Sequence, residues 1–395
     1  MRGLLEGRTG GAAAVVAMAV ALLALAADEI GIGGRAGLGP QQVAAVVAGL
    51  AGALLLAYRR WGDPALAVAL VLSLAAATVF VQYRGLNLAG QPQWSPDTIV
   101  THWDLPVHRS VLDGAARDPW NYRLLSEWGA ELFYDGAREL GSDRPEKTGF
   151  LAFRVLQNLV ILSLAWLLLR RLGLARSAAA LGLGLIAWAM TQAVHDAGLS
   201  FNTYTDVAAY LAAGLLVLDR RWAWLVPLTA LAALNRETSG LIPLMAFAVA
   251  AVDGLRTPAG RRGAIHAAAA LAAFVVVIAA VRIGRGPVDL IEVHGQSPGK
   301  GLFYFNLEQE VTWEMLFRTL NVVPFVALAG LARWPRELRA IGLAVIPVWI
   351  VAHAFGSVWA ESRLFLAPYA LVLVPGAMLA VAARSDQPIG GREAL

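Results

Sequence analysis

Between Asp97 and His108 the chain holds two carboxylates and two imidazoles, Asp97, His102, Asp104 and His108, with Trp94 and Trp103 beside them. A carboxylate partly desolvated next to tryptophan holds its proton more tightly than one in water. That suits it to accept a proton from a hydroxyl nucleophile. Asp104 is the first candidate for such a base and Asp97 the second, with His102 in support. Asp104 followed by Leu105-Pro106 equally fits a helix N-cap with proline in the first turn, so the sequence leaves base and cap both open. His102 and His108 lack the i, i+4 spacing of a helical metal pair, and a histidine metal site is not expected.

Two later turns carry an arginine and a glutamate each. The first is Leu234-Asn235-Arg236-Glu237-Thr238, between two short apolar stretches, and the second is Glu361-Ser362-Arg363, before the last one. Charged side chains at membrane level carry a desolvation cost that needs a reason. Pairing of Arg236 with Glu237 is one reason. Another is that Arg236 and Arg363 converge on a phosphate or diphosphate, which a guanidinium binds bidentately. Lys300, in Ser297-Pro298-Gly299-Lys300-Gly301, is a third candidate for that anion, although its glycines lack the spacing of a phosphate loop. Asp196 suits a solvated turn, an acceptor or a divalent cation, and nothing else in the chain calls for a cofactor. Thr203 and Asp206 have capping-box spacing, and His353 is expected to be a packed core residue.

The composition dictates what must position these groups. Of 395 residues 58% are hydrophobic and 15% charged, against roughly 25% charged for soluble domains. The chain therefore reads as a single all-α integral membrane domain, 1–395. Apolar stretches predict about 12 spans, at 11–27, 41–57, 64–82, 151–169, 177–194, 204–218, 222–235, 238–252, 263–281, 314–332, 340–355 and 364–383. The count falls to 11 if the first stretch, which also fits a secretory signal, is cleaved. With a cytoplasmic N-terminus every short arginine cluster falls on the cytoplasmic side, and the long connections 83–150 and 282–313 fall outside. The net charge of +4 is explained by those clusters, so nucleic acid is not an expected partner. The absence of cysteine excludes disulfides, thiolate catalysis and cysteine-bound metals.

Within 121–140, Leu125, Trp128, Leu132, Phe133, Gly136 and Leu140 share one helical stripe, and Glu127, Glu131, Asp135 and Arg138 share another. An amphipathic helix lying along the membrane is expected there. The turn at 235–238 lies between helices too short to span about 30 Å, so it is expected below the membrane surface, facing a cavity.

Together with an acidic residue early in the outward loop, the stretch Asp118-Pro119-Trp120-Asn121-Tyr122-Arg123-Leu124-Leu125 and the turns at 234–238 and 361–365 resemble the GT-C superfamily of integral membrane glycosyltransferases. The resemblance covers about residues 95–375. It implies transfer of a sugar, with inversion, from a polyprenyl-phosphate donor to an envelope acceptor on the outer face of the cytoplasmic membrane. On this chain it gives the role of base to Asp104, or to Asp97, and that of phosphate holder to Arg236 and Arg363. Two other readings use the same residues: a transporter or flippase for a lipid-linked or anionic solute, and a non-catalytic subunit of an envelope assembly. The oligomeric state is left open.

Overall fold

A computed structural model describes residues 63–88, 91–194, 198–290, 292, 295–296 and 298–381. The expected spans at 11–27 and 41–57, the signal reading of the first of them, and Asp196 lie outside the described residues. The described residues are helical, with no strand among them, and an isolated bridge joins Asp118 to Leu290.

Each apolar stretch from 64 onward folds as helix. In chain order they are α1 (Asp63–Arg84), α5 (Pro145–Arg171), α6 (Arg176–Gln192), α7 (Phe201–Leu218), α8 (Leu225–Ala233), α9 (Leu241–Val252), α10 (Pro258–Arg285), α12 (Glu310–Leu320) with α13 (Val323–Ala329), α14 (Arg336–Gly356) and α15 (Ser362–Val381). Among the described residues five are long and apolar enough to cross a membrane, α5, α7, α10, α14 and α15, and the α12–α13 pair makes up to six. The expected span at 314–332 is not one rod, because it bends by 67° between α12 and α13. Asn321 adopts a left-handed φ of 42° there and Pro324 opens the next helix, so no regular ladder crosses the break.

Ion pairs sort the connections into two ends. At one end Arg171 meets Asp219 at 2.5 Å, and Arg220 meets Asp253 at 2.6 Å and Glu337 at 3.3 Å. At the other, Arg282 reaches Asp118 at 3.3 Å, Arg123 reaches Glu237 at 3.3 Å, and the N–H groups of Leu124 and Leu125 both donate to the carbonyl of Leu234. The connections expected to share a side do meet one another.

The first long connection is a folded layer on this second end. It contains α2 (Pro96–Ile99), a π-helical turn (Val100–Asp104), α3 (Leu105–Leu112) and α4 (Leu124–Glu139). Ile99, Val100, Ala130, Phe150, Phe153 and Phe201 form its core against the bundle. Gly149 permits the approach, since a Cβ there would sit 2.6 Å from the backbone of Phe133 and Tyr134. The expected amphipathic helix is α4. Trp128 and Leu132 on its apolar stripe are exposed, as is Leu140 just past its end, while Phe133 packs inward against Phe153 and Glu127 is buried. The second connection is shorter than 282–313, because α10 runs to Arg285 and α11 (Lys300–Glu308) folds within it.

Candidate functional site

Pro106 shapes the segment that carries the first candidate base. It has no N–H, and in a regular helix its ring would press on the carbonyl of His102. The preceding residues open into the π turn instead, with the N–H of Leu105 reaching the carbonyl of Val100. A second π turn, Tyr369–Leu373, likewise ends two residues before a proline, Pro375. Wide turns of this kind re-aim side chains and recur at functional sites.

Asp104 ends the first π turn, and its carboxylate does not cap α3. Oδ1 accepts the N–H of Leu199 at 2.9 Å, from the segment that leads into α7. Ser200 in that segment takes a left-handed φ of 49° and lends α7 no side-chain cap. A Cβ on Gly198 would lie 1.9 Å from Asp104 Oδ1, so only glycine allows the approach. Among the described residues, Asp104 Oδ2 is buried without a hydrogen-bond partner. Burial pushes the carboxyl up to about 7, and the Leu199 N–H and the charge of Arg154 pull it back only in part. Of the two sequence readings the cap is excluded, and a carboxyl poised near neutrality is what stands.

Asp104 lines a cavity of about 490 Å³ at the second end of the bundle, and Arg236, Arg363 and Glu361 line it too. Four residues singled out in the sequence thus come together from the loop layer, the 234–238 turn and the start of α15. Arg123 lines the same cavity, and sequence reasoning gave it no role. The paired bonds from Leu124 and Leu125 to Leu234 tether it to the Arg236 turn.

The pairing expected within the first turn does not form, and one forms within the second. Arg363 does hold Glu361, at 2.5 Å. Arg236 does not pair with Glu237; its guanidinium lies 3.9 Å from Asp206 and 3.4 Å from the Thr203 hydroxyl, and Glu237 goes to Arg123. Among the described residues, Nε of Arg123, Nε of Arg236 and Nη1 of Arg363 are buried with no hydrogen-bond partner. Buried donors are rarely left so. The Thr203–Asp206 capping box does not form, because α7 starts at Phe201. Asp206 instead accepts the Thr238 hydroxyl at 2.9 Å and secures the arginine turn.

The other candidates stand elsewhere. Asp97 is tied to Lys147 at 2.8 Å, to Arg144 at 3.1 Å and to the Tyr83 hydroxyl, beside a separate small pocket. Burial would raise its carboxyl, but the bonds from Lys147 and Tyr83 and the charge of Arg144 hold it below the usual range. His102 is exposed and bonds locally to Thr98 and Thr101. Lys300 is exposed at the start of α11 and is not among the cavity's lining residues. His353 is buried in α14, stacked on Trp349, as a core residue should be.

Two further groups carry chemistry to which the sequence assigned no role. His108, 1% exposed, lies between Glu127 at 2.7 Å and Glu131 at 2.8 Å. Burial opposes its protonation, but the two carboxylates prevail and raise it. The clamp welds α3 to α4, and both His108 and Glu127 touch the cavity. Arg154 is buried in α5 with its guanidinium carbon 3.5 Å from the Tyr204 ring centroid, and its Nε and Nη1 lack partners among the described residues. A lone arginine inside the apolar run Phe150–Ile161 was the available signal. No family model, curated protein or solved structure matches the chain.

Proposed function

We propose that the chain is a membrane glycosyltransferase that moves a sugar from a polyprenyl-phosphate donor to an acceptor hydroxyl. What carries the reading is the meeting, in one cavity, of a buried carboxyl poised near neutrality and three arginines that each keep a buried N–H unmatched among the described residues. Asp104 takes the proton of the attacking hydroxyl as its oxygen bonds to the anomeric carbon. The bond from that carbon to the phosphate oxygen breaks, and polyprenyl phosphate departs with the electron pair. Arg123, Arg236 and Arg363 hold the phosphate charge that grows as the bond breaks. Attack from the side opposite the phosphate inverts the anomeric centre.

On this reading the cavity end faces out of the cytoplasmic membrane and the Arg171–Asp219 end faces the cytoplasm, in keeping with the positive-inside rule. The apolar stripe of α4 then rests on the outer leaflet. The bend between α12 and α13 favours a second reading, because discontinuous helices are frequent in transporters.

One experiment separates the two. The protein in nanodiscs is given a polyprenyl-phosphate sugar and a membrane extract as acceptor source, and its ability to move labelled donor across proteoliposomes is measured in parallel. A transferase releases polyprenyl phosphate, and Asp104→Asn stops that release. Donor translocation that persists unaltered in Asp104→Asn, with no release in the parent, would overturn the proposal in favour of transport.

A further inference from the structure

The cavity has a second set of lining residues that the transfer chemistry leaves without a task. Trp94, Trp103 and Trp120 all line it. The Trp103 and Trp120 rings meet edge to face, at 6.3 Å and 88°, and Trp103 is 37% exposed. Trp103 directly precedes Asp104, and the two side chains are close in space. The empty Cβ position of Gly198 lies 1.9 Å from Asp104 Oδ1 and 3.0 Å from Trp103 Cδ1. A partly exposed indole thus borders the carboxylate that takes the proton.

Resting on the transferase reading, we infer that this aromatic wall is the acceptor subsite and that the acceptor is a saccharide, a ring stacked on Trp103 beside Trp120 with a hydroxyl directed at Asp104. A sugar ring has two unlike aspects. Its C–H face is apolar and electropositive, which matches the apolar, electron-rich face of an indole. Its hydroxyl edge needs partners that both donate and accept, and Gln91, Ser200, Asn202 and Glu127 line the same cavity. A lipid alcohol would call for a continuous apolar channel, whereas this lining mixes indoles with amides, hydroxyls and carboxylates. A serine or threonine in a polypeptide has no flat apolar face to offer an indole. The volume, about 490 Å³, falls in the range that encloses a ligand of several rings, leaving room for a sugar beside a phosphate.

The test uses the full chain in nanodiscs without donor, so that it does not depend on turnover. Linear hexasaccharides of mannose, glucose and arabinose, and a serine- and threonine-rich peptide, are offered in turn, with saturation transfer from protein to ligand protons as the readout. At least one hexasaccharide should take up saturation on its ring C–H protons while the peptide does not. Trp103→Ala should weaken that binding by at least about tenfold, and Trp103→Phe should retain most of it. Absence of binding by every hexasaccharide, or binding that neither Trp103→Ala nor Trp120→Ala alters, overturns the inference. So does quenching of these indoles by brominated lipid, seen as quenching lost in the Trp103→Phe, Trp120→Phe double variant, which would make the wall a bilayer surface. Saccharide binding that depends on Trp103 in a protein that never consumes donor would uphold the subsite and count against the transferase alone.

Discussion

Asp97 and Asp104 lie on one short helical rod, yet their surroundings are opposite. Asp97 is half-exposed and engaged by a lysine, an arginine and a tyrosine hydroxyl, a complete local neutralisation. Asp104 is buried, with one backbone N–H on Oδ1 and, among the described residues, nothing on Oδ2. The first carboxylate is already spent on holding α2 to the start of α5, whereas the second belongs to a residue that lines the cavity and keeps Oδ2 unpartnered among the described residues. Residue type and local spacing are alike for the two. The difference lies in what arrives from elsewhere in the chain: Lys147 and Arg144 for one, the Gly198–Ser200 segment for the other.

The sharpest way to break this comparison is to remove proton acceptance without changing shape. Asp104→Asn should lower turnover by about 10² to 10⁴, the usual range for a positioned base, while donor binding persists. Full turnover by this variant, measured as release of polyprenyl phosphate, would place Asp104 with Asp97 among structural carboxylates.

The pH dependence of stability follows from the same burial. The Asp104 carboxyl is raised from 3.8 to about 7 in the fold, so its favourable contribution is fully present below about pH 4 and is lost as pH rises through about 7. The loss is on the order of 4 kcal/mol. Asp104→Asn has nothing to ionise, so it should unfold at a higher temperature than the parent at pH 8. Turnover of the parent should run the other way, rising through about pH 7 as the base deprotonates. A carboxylate as well neutralised as Asp97 would show neither behaviour.

Next in size are the arginines. Arg363→Gln or Arg236→Gln should weaken donor binding by roughly 10- to 100-fold, the worth of one hydrogen bond to a charged group, as read from donor KM. Arg171→Gln, at the end where arginines are matched by carboxylates, should leave donor KM alone. The smallest effect belongs to Asp97→Asn. Partly exposed ion pairs are worth about 0–1 kcal/mol, so thermal unfolding should shift slightly and turnover not at all.

Several of these features were legible in the sequence. Apolar runs located the helices, because a membrane-level helix needs little more than length and apolarity. Asp104, Arg236, Glu361 and Arg363 were legible because ionisable side chains at the edges of such runs are costly and call for a reason. The pairings were not legible. Glu237 meets Arg123, and Arg236 turns to Asp206, through contacts between distant segments that no spacing rule reaches. The polar stripe of α4 was visible, but not that it would turn inward to grip His108. Arg154 escaped notice inside a run whose average hydropathy hides a single charge.

The π turn before Pro106 has a consequence for how the chain tolerates changes in length. A π turn amounts to one residue more than the helix around it requires, and each residue of an α-helix turns by about 100°. Deleting one residue between Val100 and Trp103 would remove that extra residue and leave the Pro106 ring pressing on the turn before it. It would also swing either Asp104 or everything before it by about that angle. A substitution at Asp104 removes a group, whereas this deletion would keep the group and misdirect it, so the aim of the carboxylate is set by a count of residues as much as by their kind.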